Sequence, residues 1–246
     1  MVTFTARTHP GFRAGENEDR IGWTADQRRF VVADGMGGRE NGAVASQRVC
    51  DAVVGPGADE RLERAVRAAH GTIVAATGAD PALGEMGSTV VAAEFHGRSC
   101  QIVWVGDSRA YLWRAGALTR LTRDHSMAEL LQQVAGLAEE ETRSRPDRHV
   151  LTQFLGGEEA PTPSVLTQTL AEHDWILLCS DGLTSELVDE EIADALRGSE
   201  STDEAADSLV SATLVAGARD NVSVVLVDSG AEPRRLAAVW HAVIGR

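Results

Sequence analysis

The sequence contains no lysine, and all 23 of its basic residues are arginines. Catalysis through a lysine amine is therefore excluded. Only three cysteines are present, Cys50, Cys100 and Cys179, and they are widely spaced within apolar stretches. An odd number of such cysteines predicts buried thiols in a reducing compartment rather than a disulfide framework. No pair of cysteine or histidine residues has the spacing of a zinc site.

Long apolar segments and a basic N-terminal leader are also absent. The longest apolar runs, such as residues 175–179, are too short to cross a bilayer, and residues 1–4 lack the basic start and apolar centre of a signal peptide. We therefore expect a cytoplasmic protein without a membrane contact. The formal net charge of -14 argues against nucleic acid as the main partner. A length of 246 residues with 43% hydrophobic residues suits one large domain.

The sequence does contain an alternation of short apolar strands and amphipathic helices. The expected helices are residues 41–54, 59–78, 127–137, 189–196 and 202–216. The expected strands are residues 2–8, 21–25, 29–33, 88–95, 99–105, 109–114, 117–121, 164–170, 174–179 and 222–227. Among these strands, we expect the three over residues 88–114 to form a meander.

One apolar strand ends in a carboxylate that glycines follow, in the sequence FVVADGMGG at residues 30–38. Such a segment can deliver one acid, Asp34, to a cleft and let a ligand approach closely, although Asp-Gly after a strand is also a common turn. Three further junctions between a strand and a loop carry an acid: Asp107, Asp181 and Asp220. A predicted hairpin places the loop with Glu18 and Asp19 at the same sheet edge as Asp34.

Two interpretations of these acids are open. Unrelated turns would place aspartates in this way by chance, since aspartate is a common turn residue. If the carboxylates instead gather at one sheet edge without lysine or histidine partners, they repel one another unless cations neutralise them. Ligation by oxygen atoms alone suits hard ions such as Mg²⁺ or Mn²⁺. Two such ions about 3.5–4 Å apart can hold a bridging water and clamp a phosphate, which predicts a metal-dependent phosphoester hydrolase.

Seven short motifs follow one another along the chain: NED at 17–19, DGMGG at 34–38, MGST at 86–89, VGDSR at 105–109, LTRDHS at 121–126, SDGL at 180–183 and DNVS at 220–223. Each motif alone is weak, but the ordered series resembles that of the bacterial metal-dependent type 2C (PPM family) protein serine/threonine phosphatases. The resemblance covers nearly the whole chain. It implies an α+β fold, an α-β-β-α four-layer sandwich with two central antiparallel sheets flanked by antiparallel helices.

The resemblance also implies a centre of two Mn²⁺ or Mg²⁺ ions with a possible third, weaker site. Asp34 matches the acid that bridges the two core ions, and the carbonyl of Gly35 matches a ligand of one of them. Asp181 and Asp220 match ligands of the other ion, so Asp34, Asp181 and Asp220 are the expected catalytic acids. A water that bridges the ions would attack phosphorus in line, without a covalent phosphoenzyme.

Three further acids have implied roles beside these ions. Glu18 and Asp19 match groups that hold metal-bound water, directly or through hydrogen bonds. Asp107 matches a ligand of the third ion. Ser185 falls where some relatives have another acid near that ion, which predicts a weak third site.

Two positions depart from the pattern of the family. The expected phosphate-binding arginine is Arg13, but three residues separate it from the Asn-Glu-Asp triplet where the family has two. Arg20 or Arg143 could take its place. Met36 stands where eukaryotic relatives carry a histidine that is proposed as general acid, and His125, the remaining candidate for that role, is expected to be structural.

The leading hypothesis is a metal-dependent protein serine/threonine phosphatase. Its partners would be phosphorylated proteins, opposite a serine/threonine kinase, and we expect a monomer. The alternative from another class is a phosphatase-like pseudoenzyme or phosphoprotein-binding module, which the presence of Asp34, Asp181 and Asp220 disfavours. A hydrolase of small phosphoesters is a third possibility. We expect residues 1–230 to form the catalytic domain and residues 231–246 a short helical tail.

Overall fold

Two antiparallel β-sheets pack face to face in the computed structural model, which describes residues 2–12, 15–37, 41–138, 141–142 and 145–230. The strands are β1 (Thr3–His9), β2 (Asp19–Trp23), β3 (Arg29–Gly37), β4 (Met86–Ser88), β5 (Val90–His96), β6 (Ser99–Val105), β7 (Arg109–Arg114), β8 (Ala117–Arg120), β9 (Ser164–Thr169), β10 (Trp175–Cys179) and β11 (Val222–Asp228). The helices are α1 (Asn41–Val54), α2 (Leu62–Ala79), α3 (Met127–Ala135), α4 (Asp181–Thr184), α5 (Asp189–Arg197) and α6 (Thr202–Ala216).

Each sheet carries helices on its outer face. The first sheet has the order β1-β11-β10-β7-β8, and the second has the order β2-β3-β5-β6-β9, with β4 paired to β3. Helices α1 and α2 pack on the second sheet, whereas α5 and α6 pack on the first. The predicted four-layer α-β-β-α sandwich is confirmed.

Strand β3 shows how the layers are held together. Successive side chains of a strand point to opposite faces. Phe30 and Val32 lie in the apolar layer between the two sheets, and Val31 and Ala33 pack against α1 and α2. All four side chains are buried. Burial on both faces explains the continuous apolar run before Asp34, because neither face of this strand contacts water.

The predicted meander over residues 88–114 is wrong. Strands β5 and β6 pair in the second sheet, but β7 pairs with β10 and β8 in the first. Apolar periodicity reports that a strand is buried and does not report which sheet it joins. The chain therefore crosses from one sheet to the other at residues 106–108, and this crossing carries Asp107.

Most predicted helix bounds agree with the structure, and the start of α2 does not. The expected start at Asp59 is wrong, because Asp59 accepts a hydrogen bond from the backbone of Arg61 (2.8 Å) in the loop before the helix.

The three cysteines are buried and unpaired, as predicted. Among the described residues, no helix is both long and apolar enough to span a bilayer. The predicted tail at 231–246 lies outside the described residues.

Candidate active site

The β2–β3 hairpin places the first two acids side by side. Asp19 and Asp34 are register partners in the two antiparallel strands. The backbone of Asp34 is fixed from the other side, because its carbonyl accepts hydrogen bonds from the Thr89 backbone (2.8 Å) and from the Ser88 hydroxyl (3.0 Å). The predicted placement of both acids at one sheet edge is confirmed.

Asp181 and Asp220 come to this edge from the first sheet. Asp181 begins the short helix α4 directly after β10, and Asp220 lies just before β11. A Cβ atom at Gly182 would lie 1.8 Å from the Asn221 carbonyl oxygen, so the segments that carry the two acids touch through backbone. Only glycine permits this approach.

A hydroxyl group connects the acids of the two sheets. The Ser180 hydroxyl donates to one carboxylate oxygen of Asp19 (2.7 Å) and accepts a hydrogen bond from the backbone of Ser223 (3.0 Å). Ser180 and Asp19 are both buried. The sequence analysis assigned no role to Ser180, and its position directly before Asp181 was the available signal.

Glu18 and Gly35 lie against the start of α1. The Glu18 carboxylate accepts a hydrogen bond from the backbone of Gly42 (3.2 Å), and the Glu18 backbone donates to the side chain of Asn221 (2.8 Å). A Cβ atom at Gly35 would lie 2.0 Å from the Gly42 carbonyl oxygen. The structure thus places Glu18 and Gly35 next to Asp19 and Asp34, and their roles as metal ligands stay predictions.

Asp107 reaches the same place from the sheet crossing. His125 holds this turn, since its backbone donates to the Gly106 carbonyl (2.9 Å) and its Nδ1 accepts from the Gly106 backbone (3.2 Å). The His125 ring also stacks on Trp104, and its Nε2 lies 2.9 Å from the Ser164 hydroxyl. The predicted structural role of His125 is confirmed.

The carboxylates raise one another's pKa values. Burial raises the pKa of Asp34 well above its ordinary value, and the charges of Asp19, Asp181 and Asp107 raise it further. The pKa values of Asp107 and Asp181 are also raised, in both cases chiefly by burial. Burial raises the pKa of Asp19 to about 7, against the lowering effect of its hydrogen bond from Ser180. These shifts show that the acids form one electrostatic cluster.

A divalent cation fits this cluster. Within the described ranges, no arginine lies at ion-pair distance from Asp19, Asp34, Asp107 or Asp181. One carboxylate oxygen of Asp19, Oδ1, is buried and has no hydrogen-bond partner in the part of the chain that the structure describes. Leaving a buried charged group unpaired is costly, and all-oxygen donor sets are the ones that Mg²⁺ and Mn²⁺ prefer.

We expect Mn²⁺ to raise the free energy of unfolding more at pH 7.5 than at pH 5.5. Asp19 keeps its proton in the metal-free fold up to about pH 7, and it loses the proton near pH 4 when unfolded. The metal-free fold therefore binds more protons and loses stability as the pH rises through this window, by at most about 4 kcal/mol. A divalent ion binds the deprotonated acids, so the stabilisation that Mn²⁺ provides increases as the pH rises from 5.5 to 7.5.

Urea unfolding of chelator-treated protein with and without Mn²⁺, at the two pH values, measures this difference. Asp19→Asn serves as the control, because it removes one of the titrating acids and should reduce the pH dependence. An equal effect of Mn²⁺ at both pH values would contradict the prediction.

The arginine predicted to bind phosphate is not located by the structure. Arg13 and its alternative Arg143 lie outside the described residues. The other alternative, Arg20, donates to the backbone carbonyls of Asn17 (2.5 Å) and Asp19 (2.8 Å), so it braces the loop. A cavity of about 550 Å³ beside Asp107 and Asp181 is lined by a further arginine, Arg148.

Sequence reasoning missed His149, which lies beside the acids. One ligand atom each of Asp107, His149 and Asp181 lies within 4.8 Å of the other two. His149 is 42 positions from Asp107 along the chain. No local pattern in the sequence signals this proximity, since it depends on how the segment after α3 folds back.

Comparisons with known proteins agree with this geometry. Residues 13–216 match the protein phosphatase 2C family. The serine/threonine protein phosphatase PstP of Mycobacterium tuberculosis is 37% identical over 93% of this chain, which spans 45% of PstP. The serine/threonine phosphatase stp of Listeria welshimeri is 31% identical over 90% of this chain and 94% of its own length.

A solved structure shows the same fold with metal. The catalytic domain of PstP in complex with two manganese ions superimposes with a TM-score of 0.81 at 36% identity, covering 92% of this chain and 97% of that one. The chain covers less than half of the full-length mycobacterial relative, although it covers almost all of this catalytic domain. The predicted resemblance is confirmed: the chain belongs to the protein phosphatase 2C family, in its bacterial form.

Proposed function

We propose that this chain is a metal-dependent protein serine/threonine phosphatase that hydrolyses phosphoserine and phosphothreonine with Mn²⁺ or Mg²⁺. The observation that carries the proposal is the gathering of buried and half-buried aspartates from both sheets, with no arginine among the described residues at ion-pair distance from Asp19, Asp34, Asp107 or Asp181. The names of the bacterial relatives support the same activity. All the acids expected to hold metal are present, so the pseudoenzyme alternative is not favoured.

The donor set assigns the residues that would hold the ions. Asp34 is the proposed bridge between two core ions, with the Gly35 carbonyl as a further ligand of one and with Asp181 and Asp220 on the other. Divalent ions held here supply charge neutralisation for the phosphoryl group and activation of a water molecule.

Glu18 and Asp19 are the proposed partners of the water around these ions, and Asp107 is the proposed ligand of a third ion. Asp19 has the free carboxylate oxygen that this role requires. The Glu18 backbone is tied to Asn221, whose own backbone donates to a carboxylate oxygen of Asp220 (2.9 Å). This chain of hydrogen bonds keeps the acids of the two sheets in a fixed relation.

Hydroxyl groups hold the central acid in position. The backbone of Asp34 donates to the Thr89 hydroxyl (3.2 Å), and that hydroxyl lies 2.7 Å from the Ser108 hydroxyl. Thr89 and Ser108 are buried, and Ser108 follows Asp107. The pair therefore joins the strand that carries Asp34 to the turn that carries Asp107. Fixed positions for charged groups lower the reorganisation needed during reaction.

The cavity beside the acids is the proposed place of the substrate. Of its described arginines, Arg109 and Arg120 pair with Asp124 at 2.8 and 2.5 Å. Arg148 lines the same cavity and forms no ion pair with a described residue, so it is available to a phosphate. A guanidinium group can bind two phosphate oxygens at once and so orient the substrate.

The setting of the enzyme is part of the proposal. We take the substrates to be proteins phosphorylated by a serine/threonine kinase, the place of action to be the cytoplasm, and the active form to be a monomer of one catalytic domain over residues 1–230.

Hydrolysis of a phosphothreonine peptide and of p-nitrophenyl phosphate by the Mn²⁺-loaded protein tests the proposal. We expect kcat/KM to be at least about tenfold higher for the peptide, because contacts with the cavity contribute binding energy that the small ester lacks. Hydrolysis of the small ester alone would favour the hydrolase of small phosphoesters. Turnover of neither substrate would favour the pseudoenzyme.

A further inference from the structure

His149 lines the same cavity as Asp107 and Asp181, and it comes from a different part of the chain. Asp107 and Asp181 are contributed by the sheet crossing and by the start of α4, and both are buried or partly buried. His149 belongs to the segment over residues 145–152, which follows α3 and contributes Arg148 and His149 to the lining of the cavity. One ligand atom of each of the three residues lies within 4.8 Å of the other two.

The backbone that follows His149 is anchored to the segment at the start of α3. The Val150 carbonyl accepts a hydrogen bond from the Met127 backbone (2.8 Å), and the Thr152 backbone donates to the His125 carbonyl (2.8 Å). The imidazole itself is exposed and forms no hydrogen bond or ion pair with a described residue. Its position is thus set by the backbone, and both ring nitrogens remain available to a ligand.

From this arrangement we propose that His149 is a nitrogen ligand of a divalent ion that Asp107 and Asp181 also hold. This deepens the proposed function, because it adds a donor from outside the sheets to the third ion site. Two ligands on opposite sides of an ion at about 2.1 Å are about 4.2 Å apart, so a small movement of the imidazole closes the observed separation.

The donor set determines the kind of ion. Two carboxylates and one imidazole suit Mn²⁺ and other transition-metal ions better than Mg²⁺, which favours oxygen ligands. The third site is therefore selective for Mn²⁺ over Mg²⁺, even though the acids of the core accept both.

Ion binding at this site also fixes the segment over residues 145–152. His149 follows Arg148, the cavity arginine that forms no ion pair with a described residue, so a bond from His149 to the ion holds the backbone of Arg148 in place. The site then couples metal occupancy to the orientation of the cavity wall that the substrate meets.

Pulsed electron paramagnetic resonance of the full chain loaded with Mn²⁺ tests the assignment. Directly bound imidazole gives a nitrogen-14 coupling to Mn²⁺, whereas the proposed core ligands are all oxygen. We expect this coupling in the wild type, its loss in His149→Ala, and its retention in His96→Ala. His96 is the last residue of β5, at the opposite end of the strand from the residues next to Asp107. No nitrogen coupling in the wild type, or an unchanged coupling in His149→Ala, would overturn the proposal.

Equilibrium dialysis with Mn²⁺ and limited proteolysis give a second readout. We expect one Mn²⁺ site to weaken at least about tenfold in His149→Ala. Trypsin cuts this lysine-free chain only after arginine, so the bond between Arg148 and His149 reports on the segment directly. Mn²⁺ should slow this cut at least about fivefold in the wild type and His96→Ala and leave His149→Ala unaffected. Equal protection in His149→Ala would count against the proposal.

These readouts are independent of the proposed function. If the protein shows the nitrogen coupling but does not hydrolyse a phosphopeptide, the third metal site is supported and the proposed phosphatase function is wrong. If the protein hydrolyses the peptide but shows no nitrogen coupling, the phosphatase function is supported and the assignment of His149 as a metal ligand is wrong.

Discussion

Asp34→Asn is expected to lower kcat/KM for a phosphothreonine peptide by at least about 10³-fold. Asp34 is the acid whose pKa is raised by Asp19, Asp181 and Asp107 together, which places it at the centre of the cluster. Asparagine has the same shape without the charge, so the variant loses the proposed bridge between the core ions. Metal ions at a phosphoryl centre contribute several kcal/mol, and each 1.36 kcal/mol corresponds to a factor of ten.

The fold should survive this substitution. Removing one negative charge reduces the repulsion among the carboxylates of the metal-free protein. Chelator-treated Asp34→Asn should therefore unfold at a temperature equal to or above that of the wild type. Asp203→Asn is the matched control, because Asp203 is exposed and pairs with Arg7 far from the cluster. Its activity should equal that of the wild type. Retention of more than about a tenth of the activity in Asp34→Asn would contradict the assigned role.

The local part of the site could be predicted from the sequence. A run of apolar residues before Asp34 and a short turn between two strands were sufficient to place Asp34 beside Asp19, because hairpin pairing depends on neighbours in the chain. The bounds of α1 followed from periodicity in the same way.

The contacts between sheets could not be predicted in that way. The hydrogen bond from Ser180 to Asp19 joins residues 161 positions apart. The place of β7 in the first sheet depends on its pairing with β10. The family resemblance supplied the two-sheet architecture that periodicity left open. Neither approach found His149, since its place depends on the fold of the segment after α3.

Removal of divalent ions is expected to abolish hydrolysis, with a loss of at least about 10³-fold that added Mn²⁺ reverses. Among the described residues, no arginine lies at ion-pair distance from Asp19, Asp34, Asp107 or Asp181, and a buried oxygen of Asp19 has no hydrogen-bond partner there, so these residues do not neutralise the charge that a phosphate would meet. Without ions, the cluster repels a phosphate dianion. With ions, the same residues attract it.

The most direct measurement is the steady-state release of phosphate from a phosphothreonine peptide by chelator-treated protein, before and after a titration with Mn²⁺. The account predicts no detectable turnover before Mn²⁺ and a rise to full activity as the core sites fill. Turnover that persists in the presence of chelator, or that Mn²⁺ fails to restore, would contradict a metal centre built by Asp34, Asp181 and Asp220.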